Sequence, residues 1–141
     1  MREVIPHLNY VHVLVVTVAG FLLGWLWYSP VLFVKPWLKE MKYTEEQMKA
    51  AAKDGMAKFM AAAFLYTLLS TFGLAALLAA HGAPNWKHGA AMGAFIGLLG
   101  PGMRFLNSGV WERRSCRLLA INVGHEVALY TLQGAIIGAW H

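Results

Sequence analysis

The residues best placed to do chemistry in this 141-residue chain are the few polar ones that interrupt its long apolar runs. Asn122, Glu126 and Tyr130 follow at four-residue spacing and Gln133 comes three further on, so one helix face would carry all four as a stripe. An ionisable group in lipid is costly, and a stripe of this kind is either glue between helices or part of an ion pathway. Arg104 lies near the end of the preceding apolar run, at a depth like that of Glu126. An Arg104–Glu126 ion pair is the simplest way to neutralise both charges. In the mechanistic alternative, Glu126 is a proton or cation site lined by Asn122 and Gln133. His125 points about 100° away from Glu126 around a helix, so the two are not expected to share a contact. A lone membrane histidine either bonds to a neighbouring helix or ligates haem or a chlorophyll magnesium through its imidazole. His12 is open to the same two readings. The run Gly100-Pro101-Gly102 should kink or break its helix, because proline lacks a backbone donor and clashes with the preceding turn. Broken helices line binding sites in some transporters.

Other chemistry is not supported. There is no nucleophile–base arrangement, no phosphate-binding glycine loop and no pair of catalytic carboxylates in the sequence. The chain therefore reads as a non-enzyme. His81 and His88 flank a short loop, but seven-residue spacing across Gly82 and Pro84 is not a ligand pattern. Cys116 is the single cysteine, which excludes an intrachain disulfide and a multi-cysteine metal site. No metal and no cofactor is called for.

The elements that must hold these residues follow from composition. The chain is 58% hydrophobic and 13% charged, against roughly 25% charged in soluble domains. So few charges cannot cover a soluble surface, and lipid is the expected solvent. Crossing it takes about 20 mainly apolar residues. Four segments qualify, at about 8–28, 57–80, 89–106 and 118–140, in one domain spanning 1–141. The first ends in Trp25, Trp27 and Tyr28, an interfacial belt, with Ser29-Pro30 stopping the helix. That run is too long for the apolar part of a cleavable signal, and no small-residue cleavage site follows it.

The connections set orientation. Lys35, Lys39, Lys42, Lys49, Lys53 and Lys58 precede the second span, and Arg113, Arg114 and Arg117 precede the fourth. The opposite side has Arg2 and Lys87 alone. Short loops rich in Lys and Arg stay cytoplasmic, so both termini should face outward. The net charge of +5 is thus accounted for by topology and anionic-lipid contact, and a nucleic-acid partner is not expected. Thr44 to Gln47 forms a capping-box pattern, and the Ala- and Lys-rich stretch after it favours a short amphipathic helix on the cytoplasmic surface. Gly20 and Gly24, then Gly89, Gly93 and Gly97, then Gly134 and Gly138 recur at four-residue spacing. Such faces let helix backbones approach closely, either within the bundle or against a second chain.

Three stretches carry a resemblance. Asn9-Tyr10 opens an apolar helix; Gly24-Trp25-Leu26-Trp27-Tyr28-Ser29-Pro30 is followed by Phe33 and Trp37; and Leu119-Ala120-Ile121-Asn122 leads to Gly134-Ala135-Ile136-Ile137-Gly138-Ala139-Trp140. Together they resemble a bacterial membrane family called domain of unknown function 1761, nearly end to end. The resemblance implies a four-helix membrane protein and brings no catalytic or binding residues with it. His125-Glu126 stands where such chains more usually carry an aromatic and an apolar residue, and Arg104 interrupts the third helix.

The sequence is thus expected to give an all-α integral membrane four-helix bundle in the bacterial inner membrane, with periplasmic termini. The expected role is an interaction or accessory subunit of a membrane assembly, as a homo-oligomer or within a larger complex. The alternative is an oligomeric small-solute or ion transporter or channel.

Overall fold

The computed structural model describes residues 8–53, 55–83 and 85–140, and these are all-helical, with no strand among them. Arg2 and Pro84, used above for the charge asymmetry and the outer loop, lie outside the described residues.

Helix α1 (Tyr10–Trp27) starts where the Asn9 side chain accepts bonds from the backbone N–H groups of Val11 and His12. It stops at Tyr28, and the Ser29-Pro30 turn reverses the chain, with Phe33 N–H donating to Trp27 C=O at 3.1 Å. Two short helices follow, α2 (Val34–Met41) and α3 (Glu45–Lys53). The capping box at the start of α3 forms reciprocally: Thr44 N–H donates to Gln47 Oε1 at 3.0 Å, and Gln47 N–H donates to Thr44 Oγ1 at 3.2 Å. This helix ends at Lys53. Gly55, at φ +123°, sets α4 (Met56–His81) off as a separate helix.

The third apolar run is longer than expected. It comprises α5 (Trp86–Gly97), a π-helical turn (Leu98–Gly102) and α6 (Met103–Trp111), and it continues through Pro101 without a break. A π turn places one extra residue per turn, which gives proline's missing donor and its ring a place. It also shifts the register of everything that follows. Helix α6 ends in a Schellman turn, with Arg114 N–H donating to Gly109 C=O at 3.0 Å and Arg113 in the left-handed region at φ 52°. Ser115 then caps α7 (Cys116–Ala139) through a bond from Leu118 N–H.

Helix α7 is the central element. It packs against α1, α4, α5, α6 and α2, and its contact with α5 is the most extensive in the molecule. The glycine spacing explains that contact. A side chain on Gly89 would collide with the Gly134 carbonyl, and one on Gly93 with the Tyr130 carbonyl. A Cβ on Gly97 would lie 2.8 Å from Glu126 O, and one on Gly138 lies 2.6 Å from Asn85 O. These glycines therefore face each other within one chain, and backbone meets backbone along the whole α5–α7 crossing. The apolar core lies on the other side, where Val13, Val16, Leu74, Ala75, Leu78 and Ile137 meet.

Among the described residues, three helical runs are long and apolar enough to cross a membrane: α1, α4 and the continuous run Trp86–Trp111. Helix α7 has 24 residues but carries Arg117, Asn122, His125, Glu126 and Gln133, and it falls outside that set. The two cationic segments meet at one end of the molecule, where Ser115 Oγ donates to Glu40 Oε2 at 2.5 Å and Arg114 reaches Met41. At the other end the rings of His12 and Trp140 stack with centroids 4.3 Å apart.

Candidate functional site

The polar stripe of α7 is real, but it is not one cluster. Asn122 and Gln133 reach different neighbouring helices, because α7 is surrounded, while Glu126 pairs within α7. Asn122 Oδ1 accepts from the Tyr28 hydroxyl at 3.1 Å, and one residue earlier Ile121 C=O accepts from the Trp27 indole at 3.1 Å. The Trp-Tyr pair at the end of α1 thus ties that helix to the first turns of α7. Two of the three stretches that carry the family resemblance thus bond to each other.

Two expectations are corrected. Arg104 is exposed and takes no part in an ion pair; among the described residues the ion pairs are Arg114–Glu112 and His125–Glu126. The π turn before Arg104 shifts the register on which the Arg104–Glu126 pairing rested. Glu126 instead pairs with its sequence neighbour, His125 Nδ1 lying 3.1 Å from Glu126 Oε1. Consecutive helical side chains diverge, yet in this interior an unpaired carboxylate costs more than folding two side chains together. Nδ1 is thus the ring nitrogen engaged by the carboxyl group, and Nε2 is the one left over. That nitrogen is fully buried without a hydrogen-bond partner. It lies against Gly24, where a Cβ would stand 3.3 Å from it, and a metal at Nε2 would need that space.

Gln133 lies deeper still, with no exposed surface. Its Nε2 donates to Thr71 Oγ1 on α4 at 2.7 Å, and Thr71 in turn donates to Thr67 C=O at 2.7 Å. Gln133 Oε1 has no partner among the described residues. Gly20 makes room for this amide: a Cβ there would come within 2.7 Å of Nε2. Sequence reasoning missed Thr71, Tyr28 and Trp27 as partners. The cluster Thr67, Ser70 and Thr71 within an apolar span was the available signal for the first.

Between these two polar positions lies a cavity of about 290 Å³, bounded by α1, α4 and α7. Gly20 and Gly24 form one wall, Met60, Ala63 and Thr67 another, and His125 and Leu129 the floor. Trp25 and Met60 also face outward, so the mouth opens on the apolar exterior. His81 and His88 are exposed at the far end, and no group of three or more metal-binding side chains occurs among the described residues.

Fold and site define a small all-helical protein with membrane-length apolar helices and a polar interior on its central helix. The chain belongs to the family described as Protein of unknown function (DUF1761), which matches over residues 11–138. No curated protein and no solved structure matches it.

Proposed function

We propose that this chain is a four-span integral membrane protein that works by contact, as a small accessory subunit of a membrane assembly, and not by catalysis. Helix α7 is the fourth span. Its polar residues face α1 and α4, so neighbouring helices supply the shielding that its own composition does not. The cationic end, with α2 and α3 lying on the surface, faces the cytoplasm, and the His12–Trp140 end faces outward.

One observation carries the accessory role. Most of the interior polarity is used in holding helices together, Tyr28 to Asn122, Trp27 to Ile121 and Gln133 to Thr71, while His125 and Glu126 pair within α7. What remains for other molecules is the outer apolar surface, where Val11, Leu22, Trp25, Phe59, Tyr66 and Trp111 are exposed. A second reading, transport by an oligomer, is favoured by His125, which pairs with Glu126, at the floor of the 290 Å³ cavity.

Reconstitution separates the two. Purified chain in proteoliposomes is expected to carry no proton or alkali-cation flux above empty vesicles, and Glu126→Gln is expected to alter stability alone. A flux that Glu126→Gln abolishes in a protein of unchanged fold would support transport and overturn the accessory role.

A further inference from the structure

A second, larger cavity lies at the cationic end. Its volume is about 660 Å³, and four of the chain's seven methionines, Met41, Met48, Met56 and Met60, line it. Trp37 adds an aromatic wall, while Tyr28 and Asn122, bonded to each other, close its inner end. Methionine is unbranched and polarizable, so a wall of thioethers adapts to a flexible apolar chain rather than to one rigid shape. The volume holds on the order of twenty water-sized groups at ~30 Å³ each, enough for one acyl chain but not two.

The rim is different in kind. Glu112 and Arg114 stand there, their side chains 52% and 40% exposed and joined at 2.8 Å through Arg114 Nε. Arg114 Nη1 points back over the opening toward Met41 Sδ at 3.8 Å. The Schellman turn at the end of α6 and the Glu40–Ser115 bond fix this segment against α2, so the guanidinium is held over the cavity. Exposed Lys35, Lys39, Lys42 and Lys49 belong to the α2–α3 segment whose Trp37, Met41 and Met48 line the cavity, and exposed Arg113 and Arg117 flank Arg114 in sequence. An apolar slot of one-chain volume with Arg114 at its rim, between segments rich in exposed cations, matches an anionic amphiphile in both shape and charge.

We propose that this cavity is a binding site for one anionic phospholipid of the surrounding leaflet. Its phosphate sits at Arg114 and one acyl chain lies among the methionines. Glu112 is the competing anion, holding Arg114 when the slot has no headgroup. The proposal rests on the membrane placement above.

The test is native mass spectrometry of the full chain released from nanodiscs of equal phosphatidylglycerol and phosphatidylcholine. The wild type is expected to retain one phosphatidylglycerol in preference to phosphatidylcholine. Arg114→Gln should lower that preference roughly fivefold, and Glu112→Gln should raise it by a similar factor. A plain salt bridge holding the loop would make both changes act in the same direction, so opposite signs are the signature of a headgroup. Phosphatidylglycerol brominated on its chains should quench Trp37, judged by the difference between wild type and Trp37→Phe. Equal retention of the two lipids by the wild type, or the same response from both rim variants, overturns the site. A chain that never enters nanodiscs, and stays in solution without detergent, overturns the membrane placement instead.

Discussion

Replacing Thr71 with Val is expected to destabilise the protein more than replacing Gln133 with Leu, although Gln133 is the larger and more polar residue. The geometry gives the reason. Thr71 is the sole acceptor for the Gln133 amide, at 2.7 Å, and the other end of that amide already lacks a partner. Thr71→Val keeps the volume but leaves a fully buried amide with neither end bonded. The cost of such an orphaned group is about 1–3 kcal/mol. Hydrogen bonds between membrane helices measure lower, about 0.6 kcal/mol on average and about 1.7 at most, so about 1–2 is expected for Thr71→Val. Gln133→Leu instead removes both amide atoms and leaves the Thr71 hydroxyl donating to Thr67 at 2.7 Å. Its cost should be below about 0.5 kcal/mol. The double variant should then resemble Gln133→Leu, with a coupling of about 1 kcal/mol. Unfolding in mixed dodecyl maltoside and SDS, followed by helical circular dichroism, measures all three. A neutral Thr71→Val beside a Gln133→Leu costing over about 2 kcal/mol, or strict additivity of the pair, would refute the reasoning.

Three further outcomes are expected in the same assay. Gly138→Ala places a methyl 2.6 Å from Asn85 O where ordinary contact begins at 3.4 Å, so α5 must withdraw by about 0.8 Å, costing about 1–3 kcal/mol; the change should also lower protection of the α5 amides in hydrogen exchange. Arg113→Gly puts the preferred residue at a left-handed helix end and should stabilise by about 0.5–1 kcal/mol, read as a rise in unfolding midpoint. Tyr28→Phe removes the bond to Asn122 and should cost about 1 kcal/mol, with Asn122→Leu in the same background recovering most of it.

Much of the fold was legible from residue types. Apolar run length marked where α1, α4 and α7 lie to within a few residues, since period and end signals are local properties: Thr44 as a cap, Ser29-Pro30 as a stop. The glycine spacing correctly marked close helix contact, and packing shows that Gly89, Gly93, Gly134 and Gly138 serve it within the chain. The site was legible as a list but not as an arrangement. Asn122, Glu126 and Gln133 share a face by periodicity, but which helix each meets depends on α7 being enclosed, which spacing does not encode. The π turn around Pro101 is the clearest case: proline announces an irregularity, but spacing does not say that a π turn will accommodate it. With that turn in place, Arg104 is exposed and makes no ion pair among the described residues.

The central claim is that this is a membrane subunit acting through its outer surface. Its most direct test is the intact mass of the assembly released from its own membrane without detergent exchange. A single species containing this chain and a different polypeptide in fixed ratio is predicted. A species made of this chain alone, whether monomer or homo-oligomer, would contradict it.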